Sequence, residues 1–186
     1  MLEDKITNSY QGKIIKIREV GDQVLSKKSK EININNINKE ELEIIQDMKA
    51  TLNDYGGFGI AAPQIGVNKR IIVIQVDKEK CSYKNCEDIP TTVMINPEWK
   101  KISDETDSEY EGCLSVPTIR GKVERYTNIE VTYYNENGEQ ITKQVKGFTA
   151  RDIQHECDHL DGIVFLAKVK NGEFSTTSNI KKFGLK

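Results

Sequence analysis

The 186-residue chain is poor in the features that mark several protein classes. Its apolar runs are short, such as the tetrapeptide Ile71 to Ile74, far below the ~20 residues of a membrane-spanning helix. Four cysteines, Cys81, Cys86, Cys113 and Cys157, are too few for a secreted disulfide scaffold, and a reducing compartment is expected. The opening, MLEDKITNSY, lacks an apolar signal-peptide core, so export by that route is not expected. Lys and Arg number 27 against 29 Asp and Glu, a formal charge of −2, which gives no field that calls for nucleic acid or an anionic membrane. No internal repeat or domain linker is visible. What is present, 37% hydrophobic and 30% charged residues, suits one soluble globular domain, a cytoplasmic enzyme or binding domain.

Local patterns give a coarse map. Lys13 to Arg18 reads as a short strand, and Ser26 to Lys30 as a basic, solvated turn. Asn38 with Glu41 has the form of a capping box. Behind it Leu42, Ile45, Met48 and Leu52 recur at helical spacing, predicting an amphipathic helix over Lys39–Asn53 that ends before Gly56 and Gly57. Arg70 to Val76 reads as a buried strand, and Thr92 to Asn96 as a second, closed by Pro97. Between them Lys78 to Pro90 is a polar surface excursion. Its Cys81 and Cys86 have the wrong spacing for a zinc knuckle and read as incidental loop thiols. Ile129 to Tyr134, a turn at Asn137-Gly138, and Gln140 to Val145 form a β-hairpin. From Phe148 to Leu160 the period is helical, with Ala150, Ile153, Cys157 and Leu160 as one stripe. The last residues, rich in Lys, Ser, Thr and Asn, read as a loosely held tail. The pattern is α+β.

The chemistry concentrates in three segments. The only two histidines of the chain stand four apart in His155-Glu156-Cys157-Asp158-His159. On a helix that spacing puts both imidazoles on one face, within reach of one metal ion, and Glu156 is placed to take a proton from water. A catalytic site needs a third ligand and an open position. No histidine follows His159, Asp161 lies too close along the chain, and Glu173 falls in the tail, so an upstream ligand is favoured. Cys113, in Glu111-Gly112-Cys113-Leu114-Ser115, is the best candidate, although a single cysteine is more often a packed thiol. The third segment, Gly57-Phe58-Gly59-Ile60-Ala61-Ala62-Pro63-Gln64, suits close approach of an extended ligand, with the Gln64 amide as a donor at its polar end.

Together these segments resemble the peptide deformylase family, whose three motifs are complete and in order at Gly57–Gln64, Glu111–Ser115 and Gln154–His159. The similarity covers about residues 20–167 of a single catalytic domain spanning 1–186. It implies antiparallel sheets around a central C-terminal helix carrying the His-Glu motif, with an N-terminal amphipathic helix. It implies Cys113, His155 and His159 as ligands of one divalent metal ion, Fe(II) in the family, with zinc, nickel or cobalt able to substitute. Glu156 would shuttle the proton of the attacking water. Gln64 and the Leu114 N–H would stabilise the formyl oxygen. The activity implied is removal of the N-formyl group from the formyl-methionine of newly made polypeptides, releasing formate. The backbones of Phe58, Gly59 and Gly112 would pair with the peptide, and Phe58, Phe148 and Arg151 would wall a pocket for the methionine side chain. An Asp158–Arg125 pair is expected to brace the ligands.

Departures from the family pattern are also readable. Gln23 stands where proline is common, Asp152 occupies a helix position that is usually apolar, and Cys81 to Pro90 is unlike the usual connection. The tail after Ala167 does not read as a helix, which weakens any inference of docking at the ribosome. Transient ribosome proximity, a monomeric state, and no nucleic-acid or membrane partner complete the expectations. Two alternatives stand beside this reading. One is another metal-dependent amidase or peptidase using the same helix motif; the other is a non-catalytic, metal-containing domain that binds peptides.

Overall fold

Asn38 and Glu41 cap each other. In the computed structural model, which describes residues 11–83 and 86–185, Asn38 Oδ1 accepts from the Glu41 N–H and Glu41 Oε2 from the Asn38 N–H, both at 3.0 Å. The helix so started, α1, runs over Lys39–Tyr55 and is closed by Gly56 in the left-handed region at φ 68°. Its buried face is Ile45, Met48 and Leu52; Leu42, expected in that stripe, is exposed.

In chain order there follow β1 (Gly59–Ala61), β2 (Ile71–Val76), β3 (Ile89–Lys101), β4 (Thr106–Cys113), β5 (Val116–Tyr126), β6 (Asn128–Tyr134), β7 (Gln140–Lys146), α2 (Gly147–Leu160), β8 (Phe174–Thr176) and α3 (Thr177–Phe183). The larger sheet has the order β1-β2-β3-β6-β7, the smaller β4-β5-β8, with every neighbouring pair antiparallel. Strand β2 opens with a continuous apolar run, Ile71 to Ile74, because both its faces are covered there. Ile71 and Val73 pack with Ile45, Met48 and Leu52 of α1, whereas Ile72 and Ile74 pack with Ala150, Ile153, Cys157 and Leu160 of α2. The fold class is thus α+β, as expected, with α2 at the centre. Every residue of α2 from Phe148 to Leu160 is buried. On its far side the Gln154 side chain accepts from the Tyr126 N–H (3.1 Å) and donates to the Tyr126 carbonyl (2.8 Å), tying the helix to the smaller sheet.

Several expected boundaries differ. Lys13 to Arg18 is not a strand. Its N–H groups bond instead to side chains of α1, Lys13 to Asp47 (2.7 Å) and Ile15 to Thr51 (2.9 Å), which satisfies the backbone without a ladder. Within Ser26 to Lys30, Ser29 is buried rather than solvated. Pro97 does not close β3: Asn96, at φ 48°, makes a bulge beside it, and pairing with β6 resumes at Glu98. Proline is tolerated at such a bulge because the ladder there needs no donor. Cys81 and Cys86 are not separate thiols but a disulfide, with Cα atoms 6.3 Å apart. The Lys78 N–H donates to Asp88 (3.0 Å), drawing the two ends of this excursion together. The tail is ordered too: β8 adds to β5, and Thr176 caps α3 by accepting from the Asn179 N–H.

Candidate metal centre

Cys113 is the last residue of β4, where Leu114 and Ser115 turn the chain into β5, and α2 presents His155 and His159 one turn apart. The ligating atoms of the three residues all lie within 4.8 Å of one another, and Cys113 Sγ stands 3.2 Å from His159 Nε2. Donors about 3–4 Å apart are what a single ion with bonds of 2.0–2.3 Å requires, so sulfur and two imidazoles fit one divalent metal. Glu156 Oε2 is buried without a hydrogen-bond partner, as expected of a group arranged around something else.

One carboxylate organises the surroundings. Glu111 accepts from His155 Nδ1 at 2.9 Å, which leaves Nε2 of that ring for the centre. The same carboxylate takes a bidentate pair from Arg125 (2.8 Å each) and a third bond from Arg151 at 2.6 Å. Arg125 also binds Asp158, the pairing expected from the sequence, and Asp158 in turn accepts from Lys168. Arg151, expected to wall the pocket, lines the cavity, but its guanidinium is committed to Glu111, Asp107 and the Val123 carbonyl. Sequence reasoning gave Glu111 no role. The signal was its place two residues before Cys113 on β4.

Burial alone would raise the Cys113 thiol, but His159 and His155 hold it well below its ordinary pKa, in the thiolate form that ligates metals. Burial likewise works against charge on Glu111, yet Arg125 and His155 keep it ionised far below the usual carboxylate range. Glu156 goes the other way. Burial, reinforced by the Asp152, Cys113 and Glu111 charges and opposed by His155, pushes it well above the ordinary value. Its carboxyl lies against Gly59: a Cβ there would stand 2.7 Å from Glu156 Oε1 and 2.8 Å from its Cγ. Gly59 therefore has to be glycine for Glu156 to occupy its place.

The centre lies in a cavity of about 670 Å³. Gln64, 1% exposed, donates to Cys113 Sγ (3.4 Å) and Ser115 Oγ (3.3 Å) while its oxygen accepts from the Ala61 N–H (2.7 Å). Its amide nitrogen thus points at the centre. Strand β1 is an edge of the larger sheet, and Gly59 and Gly112 flank the opening. The Arg120 guanidinium packs where a Gly112 side chain would sit. Phe58 and Phe148 meet edge to face at 5.1 Å, and Tyr83 stacks on Phe148 at 4.6 Å with its hydroxyl donating to the Tyr110 carbonyl. Tyr83 was not foreseen, because it arrives on the disulfide-closed excursion.

The profile of the polypeptide deformylase family matches residues 14–175. The chain belongs to the peptide deformylase family. It is 43% identical over 155 residues to peptide deformylase 2 of Gloeobacter violaceus, covering 83% of this chain and 79% of that one. Crystal structures of a class I type b peptide deformylase from Acinetobacter baumannii superpose with a TM-score of 0.79 at 34% identity, covering 85% of this chain and 100% of theirs. One of them, bound to Met-Ala-Ser, gives a TM-score of 0.77 at 33% identity over 84% of this chain and 98% of that one. As a peptide deformylase the chain is a metal-dependent hydrolase that removes the N-formyl group from newly made polypeptides, and it carries a Cys-His-His group for one metal ion. Among the described residues no helix is long and apolar enough to cross a membrane.

Proposed function

We propose that this single domain deformylates its peptides with Cys113, His155 and His159 holding Fe(II), and with zinc, nickel or cobalt able to replace it. The observation that carries the reading is the buried Glu156 carboxyl, unpartnered at Oε2, which lines the cavity with Cys113 and His155 and so stands beside the group formed by Cys113, His155 and His159. When bound, the ion acts as a Lewis acid that activates water and draws charge from the formyl oxygen. The remaining work falls to the protein. Glu156, with its pKa raised, accepts the proton of the attacking water and returns it to the leaving amine as the C–N bond breaks, yielding formate and a free amino terminus. The Gln64 amide and the Leu114 N–H donate to the formyl oxygen as it gains charge. The peptide lies extended along the Phe58–Gly59 edge, opposite Gly112. There it pairs with backbone and is held without strong sequence preference. The Phe58 carbonyl is already taken by the Gln75 N–H (2.7 Å), so the pairing falls on the other backbone groups of this edge. Phe58, Phe148 and the aliphatic part of Arg151 receive the first side chain. We place the protein in the cytoplasm as a monomer acting on nascent chains as they leave the ribosome.

The test is formate release from formyl-Met-Ala-Ser by protein purified without oxygen and assayed for metal content. Chelation should abolish turnover, and Fe(II), Ni(II) or Co(II) should restore it. Glu156→Ala should keep one metal ion per chain and lose activity. Unchanged peptide binding together with no turnover in the wild-type metal-loaded protein would point instead to a binding domain.

A further inference from the structure

The cavity around the metal centre is acidic on one side and basic on another. Its lining carboxylates stand on β4 and α2: Glu111 and Glu156 at the centre, Glu109 beside Tyr83 and Phe148, and Asp152 between Phe148 and Glu156 along the helix. The end of the chain supplies a different wall. Strand β8 pairs with β5 in a register that sets Ser175 opposite Arg120. Thr177, the first residue of α3, fastens the helix there: its hydroxyl accepts from Arg120 Nε at 3.2 Å and donates to the Thr118 carbonyl at 3.3 Å. One turn on, Ile180 and Lys181 line the cavity with Arg120. Lys181 is exposed, and among the described residues neither it nor Arg120 has a carboxylate partner. Other lysines of this stretch are engaged: Lys168 with Asp158, Lys170 with Glu124, and Lys182 over the Phe183 ring.

The formyl carbon has to reach the metal centre, and the first side chain fills the recess formed by Phe58, Phe148 and Tyr83. The chain beyond the first residue therefore leaves by the other part of the cavity. Gly56 and Gly57, just before β1, bound that part on one side, and Gly112 with Arg120 packed against it on the other. Arg120 and Lys181 lie along this exit, whereas the lining carboxylates lie at the centre and the aromatic end. Successive side chains of an extended peptide point to alternate sides, so one of any two residues after the first faces this wall. An acidic side chain there meets unpaired positive charge, and a basic one is repelled. Exposed pairs of this kind are weak and screened by salt. The effect is a bias laid over the backbone pairing, not a requirement.

We propose that α3 is part of the substrate-binding wall, and that its Lys181, beside Arg120, favours formyl-methionyl peptides with acidic residues at the second and third positions over those with basic ones. The proposal rests on the deformylase reading of the site and leaves the pocket for the methionine side chain as described above. Arg120 is the less suitable of the two for substitution. Its guanidinium packs on Gly112 and bonds to Thr177, so removing it would shift α3 as well. Lys181 makes no such contact among the described residues.

The experiment compares kcat/KM of the metal-loaded enzyme for formyl-Met-Asp-Asp-amide and formyl-Met-Lys-Lys-amide in wild type, Lys181→Met and Lys181→Glu. The amides remove the terminal carboxylate, so that only side-chain charge differs. At low ionic strength the Asp-to-Lys ratio should fall on the order of threefold in Lys181→Met and further in Lys181→Glu. The change should sit in KM with kcat held, as for binding energy shared by ground and transition states. Raising NaCl to about 0.5 M should draw the ratios of the three proteins together. Calorimetric titration with the products Met-Asp-Asp-amide and Met-Lys-Lys-amide should show the same order without depending on turnover. A Lys181→Glu ratio within twofold of wild type at low salt overturns the assignment, as does a shift that salt leaves untouched. No formate from these peptides or from formyl-Met-Ala-Ser with wild type would overturn the deformylase reading itself.

Discussion

Gly59 and Glu156 show how a single missing side chain can determine a catalytic geometry. The glutamate carboxyl occupies the volume that any larger residue at position 59 would need, and Asp152 closes the space from the other side. Gly59→Ala must push Glu156 away from the centre, while Cys113, His155 and His159 stand on other backbone. The expected result is a fall in kcat on the order of 100-fold with metal content unchanged, measured by formate release and metal analysis. Parallel loss of metal would mean that Gly59 supports the ligands rather than the carboxyl. At this scale the sequence was most legible for residues whose chemistry has few alternatives. Two histidines four apart and a cysteine in a turn mark themselves, and the structure brings all three together. Glu111 did not mark itself, because an acid on a polar strand becomes a hub only when Arg125, Arg151 and His155 converge on it from elsewhere in the chain.

Among elements, legibility followed how locally each was determined. Helix α1 begins and ends where its own capping residues say it should, and the β6–β7 hairpin closes at its Asn-Gly turn. Asn38→Ala removes the acceptor for the Glu41 N–H and should cost about 1 kcal/mol. For a chain of this size that lowers the melting temperature by about 2–4 °C, readable by calorimetry, with activity at 25 °C unchanged. Elements built by distant partners were harder to read. Lys13 to Arg18 lies extended but bonds to a helix. The tail has no apolar periodicity, and β8 exists only because β5 offers an edge. The Cys81–Cys86 bridge depends on a loop closure that spacing alone does not reveal.

For the molecule as a whole, stability and the site share one charge network. Glu111 with Arg125, Arg151 and Asp158 is almost wholly excluded from solvent, a setting in which removing one partner costs about 3–5 kcal/mol. Glu111→Gln should therefore lower the urea midpoint markedly. The pH dependence has a definite sign. The folded protein holds Glu111 below its ordinary value of 4.5, so its contribution to stability is complete above that value and drains away as pH falls toward the folded one. Urea midpoints taken from pH 6 downward should drop more steeply for wild type than for Glu111→Gln; parallel curves would exclude Glu111 as the source.

The two sheets pack on different faces of α2. Cys113 belongs to the smaller sheet, whereas both imidazoles ride on the helix packed under the larger one. An ion held by all three is therefore a rivet between two halves of the molecule, and loading and folding become thermodynamically linked. Amide hydrogens of β4 and β5 should exchange more slowly in the loaded protein than in the chelated one. Occupancy of the centre would then be recorded in the breathing of β5, a strand that supplies no ligand.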